Sequence, residues 1–245
     1  MIKRILILIA LIATSVYLVL AVTVFNAKPT GRTCKSIELE IKDDTDLGFV
    51  TLKDIEGNLK RKKVFPVGSD LERIDTRSIE TTLEKNSFIK NAECYITAGG
   101  KVKIDIYQRI PMMRIMSSNG DNYYIDNEGK IMNATGKAVR VAVATGYIDR
   151  KFAQEKLFEL ARFLKSDDFW NSQIEQINVT TKKELELIPR VGDHVLFIGK
   201  PEMFDIKFRK LKAFYKEALN NVGWNKYERI SVEFNNQIIC TKKER

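Results

Sequence analysis

Residues 227–241 read YERISVEFNNQIICT. Ile230, Val232 and Phe234 alternate with Ser231 and Glu233, the period of a half-buried strand. Asn235-Asn236 is a turn signal. Gln237, Ile238, Ile239, Cys240 and Thr241 then make a second, β-branched run, so the stretch predicts a hairpin. Only residues 242–245 follow. The last strand is therefore expected at a sheet edge, with one row of N–H and C=O groups unpaired. Such an edge is either blunted or accepts a strand from another chain, and strand capture is the expected function.

Upstream, Phe204, Phe208, Leu211, Tyr215, Ala218 and Val222 recur every three or four residues, a helical packing stripe over 204–221. Lys207, Arg209, Lys210, Lys212 and Lys216 are assigned to the remaining surface of that helix. Asp149 opens an earlier helix, in which Ala153, Leu157, Leu160, Ala161 and Leu164 share a face, with Phe169-Trp170 as an aromatic plug. Short apolar runs at 114–117, 123–126, 139–145, 174–179, 185–188 and 195–198 read as strands. Gln108-Arg109-Ile110-Pro111 marks the entry, since proline removes a ladder donor. A mostly antiparallel β domain with two helices is expected over 109–245.

Before it, 36–42 alternates as a strand. Thr51 and Asp54 make a capping-box-like helix start, with Gly57 expected to end that helix. Asp75 or Thr76 caps a second helix carrying Ile79 and Leu83. The stretch 92–98, the turn Gly99-Gly100 and the stretch 101–108 then form a hairpin. The order is β-α-α-β-β over 36–108. It resembles a POTRA domain, a small module that docks extended peptides and neighbouring domains in cell-envelope proteins.

The N-terminal stretch 5–25 contains no charge. As helix it would extend about 31 Å, close to the hydrocarbon thickness. An uncleaved transmembrane helix is expected there, because the apolar run exceeds a signal-peptide core. Residues 1–4 form its cytoplasmic head, 26–35 a juxtamembrane linker, and the bulk of the chain lies outside the cytoplasm. The net charge of +9 is spread among acidic residues and reads first as a solvated surface, and next as one attracted to anionic membrane lipid. No nucleic-acid reader motif is present.

Catalytic chemistry finds no candidates. The one histidine, His194, falls in a turn after Gly192-Asp193 and is expected to be solvated. No nucleophile motif accompanies it. Cys34, Cys94 and Cys240 lack metal-type spacing and are expected as free thiols. Asp126-Asn127-Glu128-Gly129 lacks the spaced ligands of a calcium loop and reads as a turn. Asp43-Asp44 and Asp167-Asp168 read as solvated pairs. Catalytic, cofactor-binding and metal-binding residues are thus all expected to be absent.

Taken in order, the basic head, the span, the POTRA-like unit, QRIP at 108–111, YYIDNEG at 123–129, ELIPRVG at 186–192, LFIGK at 196–200, the basic helix and the closing hairpin resemble the FtsQ/DivIB bacterial cell-division family in its Bacteroidota-like form. The resemblance implies an α+β, single-pass inner-membrane protein of the division site. It would be non-enzymatic, with its N-terminus cytoplasmic and its bulk periplasmic. Its last strand would recruit the FtsB–FtsL pair during septum formation, and its POTRA-like domain would contact other divisome components. Contacts in the family gather on the last two strands, where this chain has Phe234, Asn236, Gln237, Ile238, Ile239 and Lys242. Lys242 stands where some relatives place an aromatic, so Tyr227 or Phe234 is expected to supply that contact. Proline at Ile238 or Ile239, whichever N–H faces the partner, is expected to block capture. The alternative reading is an envelope-assembly chaperone whose POTRA-like edge, near 93–98, receives client peptides.

Overall fold

The computed structural model describes residues 2–25, 31–42, 48–134, 139–234 and 236–244, and for the first helix the side chains of 9–22. Met1, residues 26–30 of the expected linker, the Asp43-Asp44 pair and Asn235 of the expected turn lie outside the described residues.

Helix α1 spans Ile2–Phe25. Its described side chains are uncharged, mostly apolar and mostly exposed, Leu11 at 65% and Tyr17 at 68%. The Thr14 hydroxyl lies 3.0 Å from the carbonyls of Ala10 and Leu11, so this polar group is satisfied within the helix. Among the described residues no helix is long and apolar enough to cross a membrane.

The first layer comprises β1 (Ile37–Ile41), α2 (Leu52–Arg61), α3 (Thr76–Glu84), β2 (Ile89–Ile96) and β3 (Val102–Gln108). The strands lie in the order β1-β3-β2, with β1 parallel and β2 antiparallel to the central β3. Thr51 and Asp54 close a reciprocal capping box: Asp54 N–H donates to Thr51 Oγ1 at 3.2 Å, and Thr51 N–H donates to Asp54 Oδ2 at 3.1 Å. Gly57 does not end α2, which continues through it to Arg61. A glycine inside a helix costs about 1 kcal/mol, whereas fully burying a leucine stabilises by about 1.5–3 kcal/mol. Leu59, fully buried four residues after buried Ile55, outweighs the glycine. Residues 33–35, expected in the spacer, are built into this layer. Cys34 is buried, its N–H donating to the Ser69 carbonyl at 2.8 Å.

The second unit comprises β4 (Pro111–Ser117), β5 (Asn122–Asp126), β6 (Ile131–Asn133) and β7 (Ala142–Gly146), followed by a continuous helix. That helix is α4 (Arg150–Phe152), a π turn (Ala153–Leu157) and α5 (Phe158–Ser166). After it come α6 (Asp168–Gln173), β8 (Ile174–Val179), β9 (Leu185–Pro189) and β10 (Val195–Gly199). A second continuous helix joins α7 (Phe204–Phe214), a π turn (Tyr215–Leu219) and α8 (Asn220–Val222); β11 (Tyr227–Ser231) and β12 (Ile239–Lys242) close the chain. All nine strands form one sheet, in the order β12-β11-β10-β9-β8-β7-β4-β5-β6.

Five of its eight pairings are antiparallel; β4–β7, β7–β8 and β10–β11 are parallel, so the sheet is more mixed than the sequence predicts. Parallel neighbours need a long crossover. The helical stretches between β7 and β8 and between β10 and β11 provide two of them, and their apolar stripes cover one sheet face. Ile177, Leu187, Leu196 and Ile230 pack there with Leu157, Leu160, Phe208 and Leu211. Strand β7 begins at Ala142 rather than 139, because Val139 and Val141 pack into the first unit's core instead.

A shared seam joins the two units. Tyr124 and Met132 are buried in the first unit's cluster, and the Tyr124 ring meets Phe49 at 6.2 Å. Asp126, fully buried, accepts from Arg109 Nη1 at 2.7 Å and from the N–H groups of Glu128 and Lys130 at 2.8 and 2.7 Å. The expected turn is thus also the anchor of a buried ion pair.

Candidate partner-binding edge

Strand β12 ends the sheet. Among the described residues it pairs only with β11, antiparallel, with Ser231 opposite Ile239, Ile230 opposite Cys240 and Arg229 opposite Thr241. Just beyond it, Lys243 N–H donates inward to the Lys226 carbonyl at 3.1 Å. Backbone direction alternates along a strand, and the register irregularity here falls on β11, between Tyr227 and Arg229. Counting back from Lys243, Thr241 and Ile239 bond inward. The N–H and C=O of Cys240 and Lys242 point outward, so Ile239 is not one of the outward donors.

The side chains divide by the same alternation. Cys240 and Ile238 pack on the helix-covered core, while Ile239 lies on the open face and is 45% exposed. Thr241, Lys242, Asn236 and Gln237 are exposed. Tyr227 is half-buried and its ring lies 6.2 Å from Phe214, so it supports the strand pair from the helix side. Phe234 is not a strand residue: β11 ends at Ser231, the chain turns after buried Val232, and Phe234 stands 49% exposed in the connection. Lys210 Nζ donates to the Phe234 carbonyl at 2.5 Å and holds that connection to α7. Of the seven candidates, Ile239 and Lys242 lie on β12, Phe234, Asn236, Gln237 and Ile238 in the connection before it, and Tyr227 on β11, with Phe234 and Ile239 the exposed apolar groups.

The edge is braced from behind. Arg229 Nη1 pairs with Glu186 at 2.8 Å and its guanidinium lies 4.3 Å from the Phe197 ring centre. Lys243 Nζ reaches Asp193 at 3.3 Å. Lys207, expected on the surface, is buried at 2% exposure and donates to the Lys200 carbonyl at 2.8 Å. Its aliphatic stem fills the core while one acceptor meets the ammonium. The Cys240 thiol, pushed up by burial, is a packing group.

His194 is likewise not solvated. It is 2% exposed, Nε2 lies 2.7 Å from the Tyr215 hydroxyl oxygen, and its ring stands among Tyr215 and Trp224. The turn signal beside it is local; the helix that crosses from β10 to β11 buries it. Burial lowers the imidazole pKa, outweighing the opposing Trp224 backbone and Asp193 carboxylate. With the folded-state pKa depressed, the unfolded chain binds more protons below its own value of about 6.5. Stability is therefore expected to hold above that pH and to fall as pH drops below it through the folded-state value. Because His194 is the sole histidine, His194→Gln should flatten the fall in stability that sets in below about pH 6.5, measured by urea unfolding on either side of that pH.

The other strand edges are occupied or charged. On β2, Cys94 N–H donates to Glu80 Oε1 at 2.7 Å and Ala92 N–H to Glu84 Oε1 at 3.4 Å, so carboxylates of α3 take two of its outer donors. On β6, Asn133 N–H donates to Ser87 Oγ at 3.3 Å. Strand β1 carries Glu38 and Glu40, paired to Lys101 and Lys103 at 2.6 and 3.2 Å, charges of the kind that blunt an edge. The carboxylate cover on β2 escapes sequence reasoning, although Glu80 and Glu84, four apart on a helix leading into a strand, are its visible trace.

The chain is thus a small α/β module that shares a seam with a mixed sheet, whose last strand has an unpaired outer row among the described residues. Residues 32–107 match the model of the POTRA-like domain, and residues 110–241 match that of FtsQ/DivIB, C-terminal related. The chain belongs to the FtsQ/DivIB family, whose members are scaffold proteins of bacterial cell division. No curated protein matches the chain.

Proposed function

We propose that this protein is a membrane-anchored divisome scaffold that recruits the FtsB–FtsL pair by adding a partner strand to β12. The observation that carries this is the contrast between edges. The outward backbone of Cys240 and Lys242 is unpaired among the described residues, whereas outer donors of β2 and β6 are already bonded. Main-chain bonds supply affinity in such an addition, and flanking side chains supply register. Phe234 and Ile239 are the apolar contacts, with Asn236, Gln237 and Lys242 as polar ones. Ile238 and Tyr227 hold the strand in place from the core side.

Helix α1 is the anchor in this reading. A mostly apolar helix, with nothing charged from residue 5 to 25, is suited to lipid rather than water. Its short basic head remains in the cytoplasm and the folded units stand in the periplasm at the division site. Tethering raises the effective concentration of other membrane-bound partners. The POTRA-like unit, fixed to the β domain through the Tyr124 seam, meets further divisome components.

The chaperone reading, in which β2 receives clients, must first displace Glu80 and Glu84 from its outer donors. Co-purification of the full chain with FtsB and FtsL separates the two. Blocking the outer backbone of β12 with proline should abolish recovery, and proline at Ile96, an outward position of β2, should leave it intact. The reverse pattern would contradict the proposal.

A further inference from the structure

A cleft of about 590 Å³ opens at the end of the sheet where β4, β7 and β8 begin, beside the seam and four to six strand positions away from β12. Its floor is apolar, formed by Met113, Leu164 and the buried Trp170. Its rim carries Arg140, Lys165 and Arg190, and none of the sixteen lining residues is a carboxylate. Among the described residues no ion pair engages any of the three cations. Lys183, Lys212, Arg109 and Arg229 each face an acid, whereas this rim gathers three cations around a lining without one. Asn127 and Ser172 add neutral hydrogen-bonding groups to the wall.

We infer that this cleft is a second recognition site, for an acidic peptide segment carrying an aromatic or large aliphatic side chain next to its carboxylates. A concave, mostly apolar pocket with a few converging polar groups is the form that ligand sites take. Guanidinium groups at Arg140 and Arg190 can each bind a carboxylate through two parallel N–H bonds. The volume admits a short run of residues rather than one small ion. Two cations come from segments next to the sheet, Arg140 before β7 and Arg190 after β9, and the third, Lys165, from the end of α5. An apolar side chain inserted against Trp170 would place flanking acids under all three. A segment held there would leave β12 free, so the scaffold could hold two partners at once.

The test uses the full-length chain in nanodiscs and fluorescein-labelled acetyl-Glu-Leu-Asp-Phe-Glu-amide, followed by anisotropy. The expected result is saturable binding at least tenfold tighter than to the same peptide with Gln and Asn in place of the acids. The double variant Arg140→Ala/Arg190→Ala should lose at least tenfold, the corresponding lysine pair should recover part of it, and Cys240→Pro should bind unchanged. Equal affinity for the neutral peptide, or an unchanged affinity in the double alanine variant, would overturn the inference. So would acetyl-phenylalaninate competing as well as the peptide itself, which would mark a pocket for small carboxylates. The Cys240→Pro arm separates this site from β12: the cleft can fail while strand capture at β12 stands, and the reverse.

Discussion

Cys240→Pro should cut affinity for the FtsB–FtsL pair about 100-fold while leaving the protein folded. Proline at this position removes an N–H that points away from β11 and sets its ring where an incoming strand would lie. The partner then loses one ladder bond and has a carbonyl left unmet, a cost of about 1–3 kcal/mol; the steric displacement of the neighbouring bonds adds to it. Because the lost donor bonds nothing among the described residues, stability should change only by the partial loss of Cys240 packing. Thr241→Pro is the contrasting variant. It removes a donor that faces β11 and should open the hairpin itself, lowering both stability and binding. Surface plasmon resonance against the immobilised pair, beside a thermal melt of each variant, checks the two effects. Equal losses of binding and of stability for both variants would mean that the hairpin matters only as structure.

Asp126→Ala should destabilise the chain by about 3–5 kcal/mol, the cost of removing one partner from a buried ion pair. The carboxylate is fully buried and holds three donors: Arg109 and the backbone N–H groups of Glu128 and Lys130. Its loss strands all three. Glu128 lies 3.7 Å from the same guanidinium and offers limited compensation, because it already pairs with Lys90 at 2.7 Å. Asp126→Asn keeps an acceptor but not the charge, and should fall between wild type and alanine. Arg109 follows β3 directly and Asp126 ends β5, so the pair joins the POTRA-like unit to the sheet that carries β12. Urea unfolding of the three forms gives the ranking. If alanine costs less than about 1 kcal/mol, the range of an exposed pair, the seam does not depend on this ion pair.

Local chemistry was legible in the sequence wherever neighbours along the chain decide the outcome. The capping box of Thr51 and Asp54, the Asp75 and Asp149 caps, and the alternation through Ile230 and Ser231 all express short-range rules, and each is found in its element. The features that went unread depend on distant partners. His194 sits beside a genuine turn signal, yet the crossover helix that brings Tyr215 to it lies twenty-one residues away. Lys207 has the composition of a surface position and is buried because the Lys200 carbonyl meets its ammonium. The alternation carries the strand three residues too far, to Phe234, since it continues past the point where β11 stops pairing. Likewise, a proline placed from sequence at Ile239 would have struck an inward donor. Only the register with β11 selects Cys240 and Lys242 as the outward ones.

Amide hydrogen exchange on the full-length chain, alone and bound to FtsB and FtsL, addresses the edge most directly. The backbone amides of Cys240 and Lys242 should exchange freely in the unbound protein and become strongly protected in the complex, while those of Ala92 and Cys94 on β2 stay unchanged. A complex that forms with Cys240 and Lys242 still exchanging freely would show that the partner binds without adding a strand to β12.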